Sequence, residues 1–302
     1  PAGPGVADDD PGPESDPGTS DVADPDGAAE ELERLGATLT RGENKVVTGV
    51  AFYRNRRVTD QHLAHLARLP GLVALDLRST GITDEGLKHV APLQQLEQLY
   101  IGKTRVTGAG LAHLSNLSRL EVLNLQDLKI DADSFTRHLS GVTSIARLNL
   151  AGTSFDDEGL TALAELGNLR ALVLPEGISD AGLKGLSEHV QLEVLVLDKT
   201  AVTNEGLQAL SPLASLKRLS VRGTAVTVEG VCRITAPRDD LDIAFDQGSI
   251  TSGELVLYRN ATNADLTSVA TLNHLEVLKL NDTPITDDGL KHISGMFNLS
   301  QL

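Results

Sequence analysis

Cysteine, aromatic residues and long apolar runs are scarce in this chain of 302 residues. The single cysteine, Cys232, excludes an internal disulfide framework and a cysteine-based zinc site, because both need several thiols at defined spacings. Aromatic residues make up 3% of the chain, which argues against a carbohydrate-binding face built from aromatic platforms. No apolar run approaches the ~20 residues that a transmembrane helix needs, so no direct membrane insertion of the visible chain is predicted.

Basic charge is also in short supply. Lys and Arg number 26 against 42 acidic residues, which gives a formal net charge of -16. Proteins that bind DNA or RNA concentrate Lys and Arg to displace counterions from phosphates. We therefore expect no nucleic-acid partner. Nine of the acidic residues lie in residues 1–30, so the remaining chain is only mildly acidic and this exclusion rests chiefly on the lack of a continuous basic stripe.

The first 27 residues differ in composition from the rest. They are acidic and rich in Pro and Gly, contain neither Lys nor Arg, and have few apolar side chains to bury. Such a segment cannot offset the entropy of ordering, so residues 1–27 are predicted to form a disordered tail. The tail either tethers the folded part to an anchor or has only a solubilising role.

A repeated pattern begins after a short amphipathic helix predicted near residue 28. Segments 72–87, 96–111 and 192–207 all start with leucines in the order LxxLx(L/I), continue through a Thr, and end in Gly-Leu. The second strand position recurs at steps of 23 to 25 residues, at Val50, Leu75, Leu99, Leu123, Leu148, Leu172, Leu195 and Leu219, and it resumes at Leu255, Leu278 and Leu302. A fixed period of this length predicts a repeat architecture.

The pattern LxxLxLxxTxITDxGLxxLxxL resembles the leucine-rich repeat family, in particular its ribonuclease-inhibitor-like class and the bacterial GALA-type repeats. The resemblance covers roughly residues 45–302 and recurs about ten times. It implies an α/β solenoid with a curved parallel sheet on the concave side and helices on the convex side. It also implies a binding surface, without indicating a ligand.

The period breaks between Leu219 and Leu255, where the step is 36 residues. Residues 50–55 and 255–260 match at a constant offset of 205, so we predict that residues 236–274 repeat the entry of the solenoid, a hairpin leading into a first repeat. A regular helix across residues 244–254 would refute this hypothesis. The alternative is one degenerate repeat with a shortened helical side.

The predicted domains follow from this break. Residues 28–240 form a solenoid that begins with a helix and hairpin cap, and residues 241–302 form either a second block of repeats or a continuation after an irregular repeat. Residues 299–302 start another repeat and stop, which predicts an uncapped C-terminus open to end-to-end self-association.

Motifs of catalysis are not found in the sequence. It has no GxSxG, no Walker-type glycine loop and no HExxH, so we predict no enzymatic activity and no cofactor. A recurring histidine position could form a pH-sensitive or metal-binding stripe, or the repeat could simply favour histidine there: His65, His89, His113, His138 and His292. We predict no metal site, and we expect Cys232 to be a buried, inert thiol.

The outward strand positions are predicted to form the binding surface. All three tyrosines occupy such positions, and an apolar patch that includes Val173, Val194 and Val196 follows in the middle repeats. Small β-branched residues would also suit a sheet surface without any partner. The candidate residues are Tyr53, Asp76, Arg78, Tyr100, Asn124, Arg147, Asn149, Val173, Val194, Val196, Arg218, Arg222 and Tyr258.

These observations together predict a non-enzymatic scaffold that binds an unidentified protein partner. Two alternatives stay open: the substrate-recognition part of a larger enzyme complex, similar to a ubiquitin-ligase adaptor, and a carbohydrate binder of the cell envelope. The acidic tail and the start at Pro1 favour an exported protein or one of the bacterial cell envelope, and a cytoplasmic location is the alternative.

Overall fold

The computed structural model of the chain describes residues 27–238 and 240–302. The predicted acidic tail therefore lies outside the described residues, apart from Gly27. The described chain divides into two compact units. The N-terminal unit ends at Phe155 and also includes Glu165–Leu169, and the C-terminal unit consists of Asp156–Ala164 and Arg170–Leu302.

Both units are built from short strands that alternate with helical segments. The strands are β1 (Thr38–Arg41), β2 (Val47–Ala51), β3 (Ala74–Asp76), β4 (Gln98–Tyr100), β5 (Val122–Asn124), β6 (Arg147–Asn149), β7 (Ala171–Val173), β8 (Val194–Val196), β9 (Arg218–Ser220), β10 (Asp242–Phe245), β11 (Gly248–Thr251), β12 (Glu254–Leu257) and β13 (Val277–Lys279). The α-helices are α1 (Ala28–Arg34), α2 (Asp84–Leu87), α3 (Ala132–Leu139), α4 (Asp180–Leu183), α5 (Val228–Thr235), α6 (Asp265–Val269) and α7 (Asp287–Leu290). Segments of 3-10 helix span Glu43–Lys45, Asp60–Arg68, Gly108–Leu114, Glu158–Leu163, Lys184–Leu186, Gly206–Leu210 and Lys291–Ile293.

Leucine stacking defines the core of each unit. Leu75, Leu99 and Leu123 pair with one another in register across the parallel strands β3, β4 and β5, and all three are buried. The residues on either side of each leucine point to the other face of the sheet, as the alternation of a strand requires. This face, on the side opposite the helical segments, is called the open face below. The predicted α/β solenoid of strand-and-helix repeats is confirmed.

Acidic side chains connect consecutive repeats on the helical side. At the start of α4, the carboxylate of Asp180 accepts hydrogen bonds from the backbone N–H and the hydroxyl of Thr203 in the next repeat, at 2.8 and 2.6 Å. Gly206 lies three residues after Thr203, and a Cβ placed on it would lie 2.1 Å from Oδ1 of Asp180. The same arrangement recurs in the sets Asp60–Thr83–Gly86, Asp84–Thr107–Gly110 and Asp157–Ser179–Gly182. In the sets Asn204–Thr227–Gly230 and Asn263–Thr286–Gly289 an asparagine takes the place of the acid; its Oδ1 accepts the backbone N–H and its Nδ2 donates to the threonine hydroxyl. The repeated glycine is therefore needed because the preceding repeat fills the space beside it.

The break in the period is an antiparallel meander. Strand β10 pairs in parallel with β9, and β11 then runs antiparallel to both β10 and β12. Strands rather than a helix occupy most of residues 244–254, so the structure does not refute the predicted hairpin. An antiparallel strand also precedes the first repeat, where β1 pairs with β2. The chain on the two sides of residue 240 shares one sheet, and a duplicated entry module stays a prediction.

The last repeat is less buried than those inside the units. Leu280, Ile285 and Leu290 in this repeat are half-buried, whereas Leu77 and Ile82, at positions equivalent to the first two, are fully buried. End-to-end self-association through this surface stays a prediction. Within the described part of the chain, none of the helices has the length and apolar character that crossing a membrane requires.

Candidate binding surface

A cluster of tyrosine and arginine side chains lies at the start of the open face in the N-terminal unit. The guanidinium of Arg78 lies 5.0 Å from the ring centre of Tyr53 and 4.9 Å from that of Tyr100. The guanidinium of Arg54 also lies 4.9 Å from the ring centre of Tyr53. The carboxylate of Asp76 pairs with Arg78 at 2.7 Å. We call Tyr53, Arg54, Asp76, Arg78 and Tyr100 the Tyr–Arg cluster.

Asp76 also ends its strand, a role that it shares with the asparagines at the equivalent positions. Its Oδ1 accepts the backbone N–H of Arg78, two residues on, at 2.9 Å. Oδ1 of Asn124 and of Asn149 accepts the N–H of the residue two positions on in the same way, at 3.0 Å. Short side chains that bond their own backbone in this manner form Asx turns. These three candidates therefore have a structural role in the turns.

The predicted apolar patch lies in the C-terminal unit. Ala171 pairs with Val194, and Val173 pairs with Val196, in the register of β7 and β8. Ala171, Val173 and Val194 are half-buried, but only 8% of Val196 is exposed. The prediction that Val196 belongs to an accessible apolar patch is therefore wrong. The accessible apolar area is smaller than predicted.

Polar groups border this patch. Arg218 lies beside Val194 in register and is exposed. Asp198 accepts hydrogen bonds from the hydroxyl of Ser220 at 2.6 Å and from the backbone N–H of Arg222 at 2.9 Å. The border is therefore a fixed arrangement of charged and polar groups.

The thirteen candidate residues fall into two sets, one in each unit. Tyr53, Asp76, Arg78, Tyr100, Asn124, Arg147 and Asn149 belong to the N-terminal unit, and Val173, Val194, Val196, Arg218, Arg222 and Tyr258 to the C-terminal unit. The structure brings Tyr53, Asp76 and Tyr100 into contact with Arg78 and places Val173, Val194 and Val196 in adjacent strands. Four of the candidates are buried: Asp76, Tyr100, Asn124 and Val196. Four others are exposed: Tyr53, Arg147, Arg218 and Tyr258.

Sequence reasoning missed Arg54, which stacks on Tyr53. It also missed Arg56 and Arg57 in the same exposed loop. The available signal was the concentration of three arginines within residues 54–57 of an acidic chain.

Cys232 lies on α5 and is buried, as predicted. Burial, followed by the negative charge of Asp265, raises the pKa of its thiol to about 12. In the described residues, no three or more His, Cys, Asp or Glu side chains are grouped so that they could hold a metal ion.

The thiol of Cys232 should resist alkylation and disulfide-exchange reagents in the folded protein and react at the rate of an unstructured cysteine after unfolding. The thiol of the unfolded chain loses its proton near pH 9, whereas in the folded protein its pKa is raised to about 12. The free energy of unfolding should therefore fall as the pH rises from about 9 towards 12. Stopped-flow labelling of the single cysteine, with and without denaturant, checks the first expectation. Rapid labelling of the native protein at neutral pH would contradict it.

Comparisons with known proteins agree with the geometry. A family model described as Leucine Rich repeat matches residues 71–91, 143–164 and 271–294. An internalin (inlF) from Listeria monocytogenes has a similar structure, with a TM-score of 0.51 and 19% identity over 91% of this chain and 93% of the internalin. A TDR receptor aligns with a TM-score of 0.45 and 16% identity over 79% of this chain and 40% of the receptor. Comparison with curated proteins gave no significant match.

Proposed function

The chain is a leucine-rich repeat protein, and we propose that it is a non-enzymatic scaffold that binds another protein through the open face of its repeats. The fold supports protein binding in general, because leucine-rich repeats are typically binding scaffolds. The observation that carries the proposal for this chain is the Tyr–Arg cluster, in which 48% of Tyr53 is exposed. Tyr and Arg are enriched among the residues that dominate interface energies.

The Tyr–Arg cluster is arranged before any partner arrives. Arg78 lies between two tyrosine rings, and its guanidinium contacts both carboxylate oxygens of Asp76 at 2.7 to 3.1 Å. A side chain held in this way loses little conformational entropy on binding. The exposed ring of Tyr53 offers apolar area with a polar tip, as interface tyrosines commonly do.

The apolar patch supports a second contact area in the C-terminal unit. Ala171, Val173 and Val194 are partly exposed, and Arg218 borders them. An apolar centre with a polar border is the usual composition of a protein interface. The patch is small, so we infer that it contributes to binding without determining it alone.

Two finer assignments belong to the same proposal. The resemblance of the repeat pattern is the only support for the ribonuclease-inhibitor-like class, and the likeness in fold to an internalin is compatible with a bacterial source. Recognition of substrate for a larger enzyme complex is a special case of protein binding and would use the same face. A carbohydrate site would need several exposed aromatic rings on one face, whereas in the Tyr–Arg cluster Tyr53 is exposed and Tyr100 is buried.

The proposal predicts that Tyr53→Ala weakens partner capture about tenfold or more, the effect of removing an interface hot spot. The full chain and the variant are immobilised, exposed to an extract of the source organism, and compared by quantitative mass spectrometry. Val190→Glu is the control, because Val190 is 52% exposed and lies in the connection that precedes β8.

A second variant, Val173→Glu with Val194→Glu, tests the apolar patch. Both positions are half-buried, so glutamate there reaches solvent more readily than at the buried Val196. Captured proteins should be retained by Val190→Glu and lost or reduced with the patch variant. If neither the Tyr53 variant nor the patch variant changes the captured set while both remain folded, the open face is not the binding surface.

A further inference from the structure

Five exposed cationic residues lie in the loops that follow two strands of the N-terminal unit. Arg54, Arg56 and Arg57 follow β2, and Lys103 and Arg105 follow β4. We call these five residues the basic edge. Among the described residues, no salt bridge engages Arg54, Arg56, Arg57 or Arg105, and Lys103 reaches only the half-exposed Asp127, at 3.8 Å. Their charges are therefore largely uncompensated by salt bridges.

Two surface depressions join these residues. The first, of about 610 Å³, is lined by Tyr53 and by Arg54, Arg56 and Arg57. The second, of about 340 Å³, is lined by Arg56 together with Lys103 and Arg105. Because Arg56 borders both, the two depressions form one continuous cationic surface.

The arginine loop is held in place by its own asparagine. Nδ2 of Asn55 donates to the carbonyl oxygen of Leu35 at 2.8 Å, and Oδ1 of Asn55 accepts the backbone N–H of Arg57 at 3.2 Å. In addition, the backbone N–H of Arg54 donates to the carbonyl oxygen of Arg78 in the next repeat at 2.9 Å. The three arginines therefore project from an anchored loop.

The backbone at two of the cations is left-handed. Arg54 has φ 61° and Lys103 has φ 58°, a region that long side chains adopt unfavourably. Equivalent turns in the same unit carry Ser79, Asp127 and Gly152, with φ 58°, 55° and 68°. Glycine is thus accepted at this turn. Lys199, at the equivalent turn of the C-terminal unit, has φ 62°, so a left-handed cation at this turn does not by itself mark the basic edge.

We propose that the basic edge binds an acidic peptide segment of a partner protein. Guanidinium groups match carboxylates in a forked geometry, and several in one loop suit a run of Asp or Glu side chains. A long polyanion such as DNA would extend beyond these five cations onto a surface that is mildly acidic overall, whereas a short peptide need not. The basic edge shares Arg54 with the Tyr–Arg cluster, but its other four cations lie outside that cluster, in the loops that follow β2 and β4. The inference therefore goes beyond the proposed function.

The test measures binding of a fluorescein-labelled peptide of alternating Asp and Gly by fluorescence anisotropy. We expect binding that weakens with salt, and no binding of a matched Asn-Gly peptide. Arg56→Gln with Arg57→Gln should weaken the affinity about tenfold. The control is Lys88→Gln with Arg119→Gln, which removes the same charge from exposed positions elsewhere in the unit and should bind as the wild type does.

Lys103→Gly separates binding from folding. Glycine relieves the left-handed backbone at this turn, so Tm should rise by roughly 2 °C while the peptide binds about threefold more weakly. The patch variant, Val173→Glu with Val194→Glu, lies in the other unit and should leave the affinity for the peptide unchanged. Loss of partner capture by the patch variant and loss of peptide binding by the Arg56/Arg57 variant can therefore be told apart.

Three outcomes would overturn the inference. The first is equal loss of affinity in the control and the Arg56/Arg57 variant, which would indicate a net-charge effect. The second is no peptide binding by the wild type at low salt. The third is tighter binding of a single-stranded DNA oligonucleotide than of the peptide, which would assign the basic edge to another class of ligand.

Discussion

Gly206→Ala should destabilise the C-terminal unit by about 3 kcal/mol, even though alanine favours helices more than glycine does. The added Cβ would lie 2.1 Å from Oδ1 and 2.8 Å from Cγ of Asp180. Asp180 has little freedom to move away, because its two oxygens accept the N–H and the hydroxyl of Thr203. The variant must therefore either keep a steric overlap or break hydrogen bonds to a charged acceptor.

Another pair of repeats in the chain indicates that the space between Asp180 and Gly206 holds a side chain from only one of two consecutive repeats. In one repeat the glycine is replaced by Ser134, and there the preceding repeat carries Gly108 in place of the acid. A Cβ on Gly108 would lie 2.2 Å from Oγ of Ser134. The pair Gly108–Ser134 is therefore the reverse of the pair Asp180–Gly206, with the side chain supplied by the later repeat.

A double-mutant cycle tests this explanation by denaturant unfolding. Asp180→Gly should be destabilising because it removes two hydrogen bonds. Adding Gly206→Ala to this variant should then change the free energy of unfolding little, since the carboxylate that would overlap the new Cβ is absent. Gly185→Ala is the control, because its Cβ would meet its nearest neighbour at an ordinary 3.6 Å. Additive effects in the cycle, or a Gly206→Ala variant as stable as Gly185→Ala, would contradict the proposed contact.

The period of the leucines was sufficient to predict the sheet. Leu75, Leu99 and Leu123 recur at a fixed spacing, and the structure pairs them in register as buried neighbours. The contact of Asp180 with Gly206 was not predicted, although both residues belong to the visible repeat. A single repeat shows the acid near the start of one helix and the glycine near its end. Only the stacking of two repeats brings one against the other.

The candidate site was predicted less completely than the fold. Alternation along β3 placed Asp76 on the open face, but burial depends on neighbouring strands, and Asp76 turns back to bond the N–H of Arg78. The basic edge was missed because loops have no periodic pattern. The charges of residues 54–57 are evident in the sequence, but their proximity to Lys103 depends on how the repeats stack.

Arg78→Gln should destabilise the N-terminal unit by about 2 kcal/mol, because it leaves the buried carboxylate of Asp76 without its counterion. The variant also loses the stacking of the guanidinium against Tyr53 and Tyr100. Glutamine can still donate one hydrogen bond, which keeps the expected effect below that of a fully unpaired buried charge. Two other repeats of the unit have asparagine in place of Asp76, followed two positions later by Gln126 and Ala151.

The double variant Asp76→Asn with Arg78→Gln reproduces the combination found at Asn124 and Gln126. Asparagine keeps the hydrogen bond to the backbone two residues on, carries no charge and needs no counterion. The double variant should therefore recover most of the stability lost in Arg78→Gln, to within about 1 kcal/mol of the wild type. Urea unfolding of the four proteins measures this coupling. If the two substitutions add, the charge of Asp76 is not what requires Arg78. If they compensate, the pairing is electrostatic, and partner binding by the double variant then measures separately what the guanidinium contributes to the Tyr–Arg cluster.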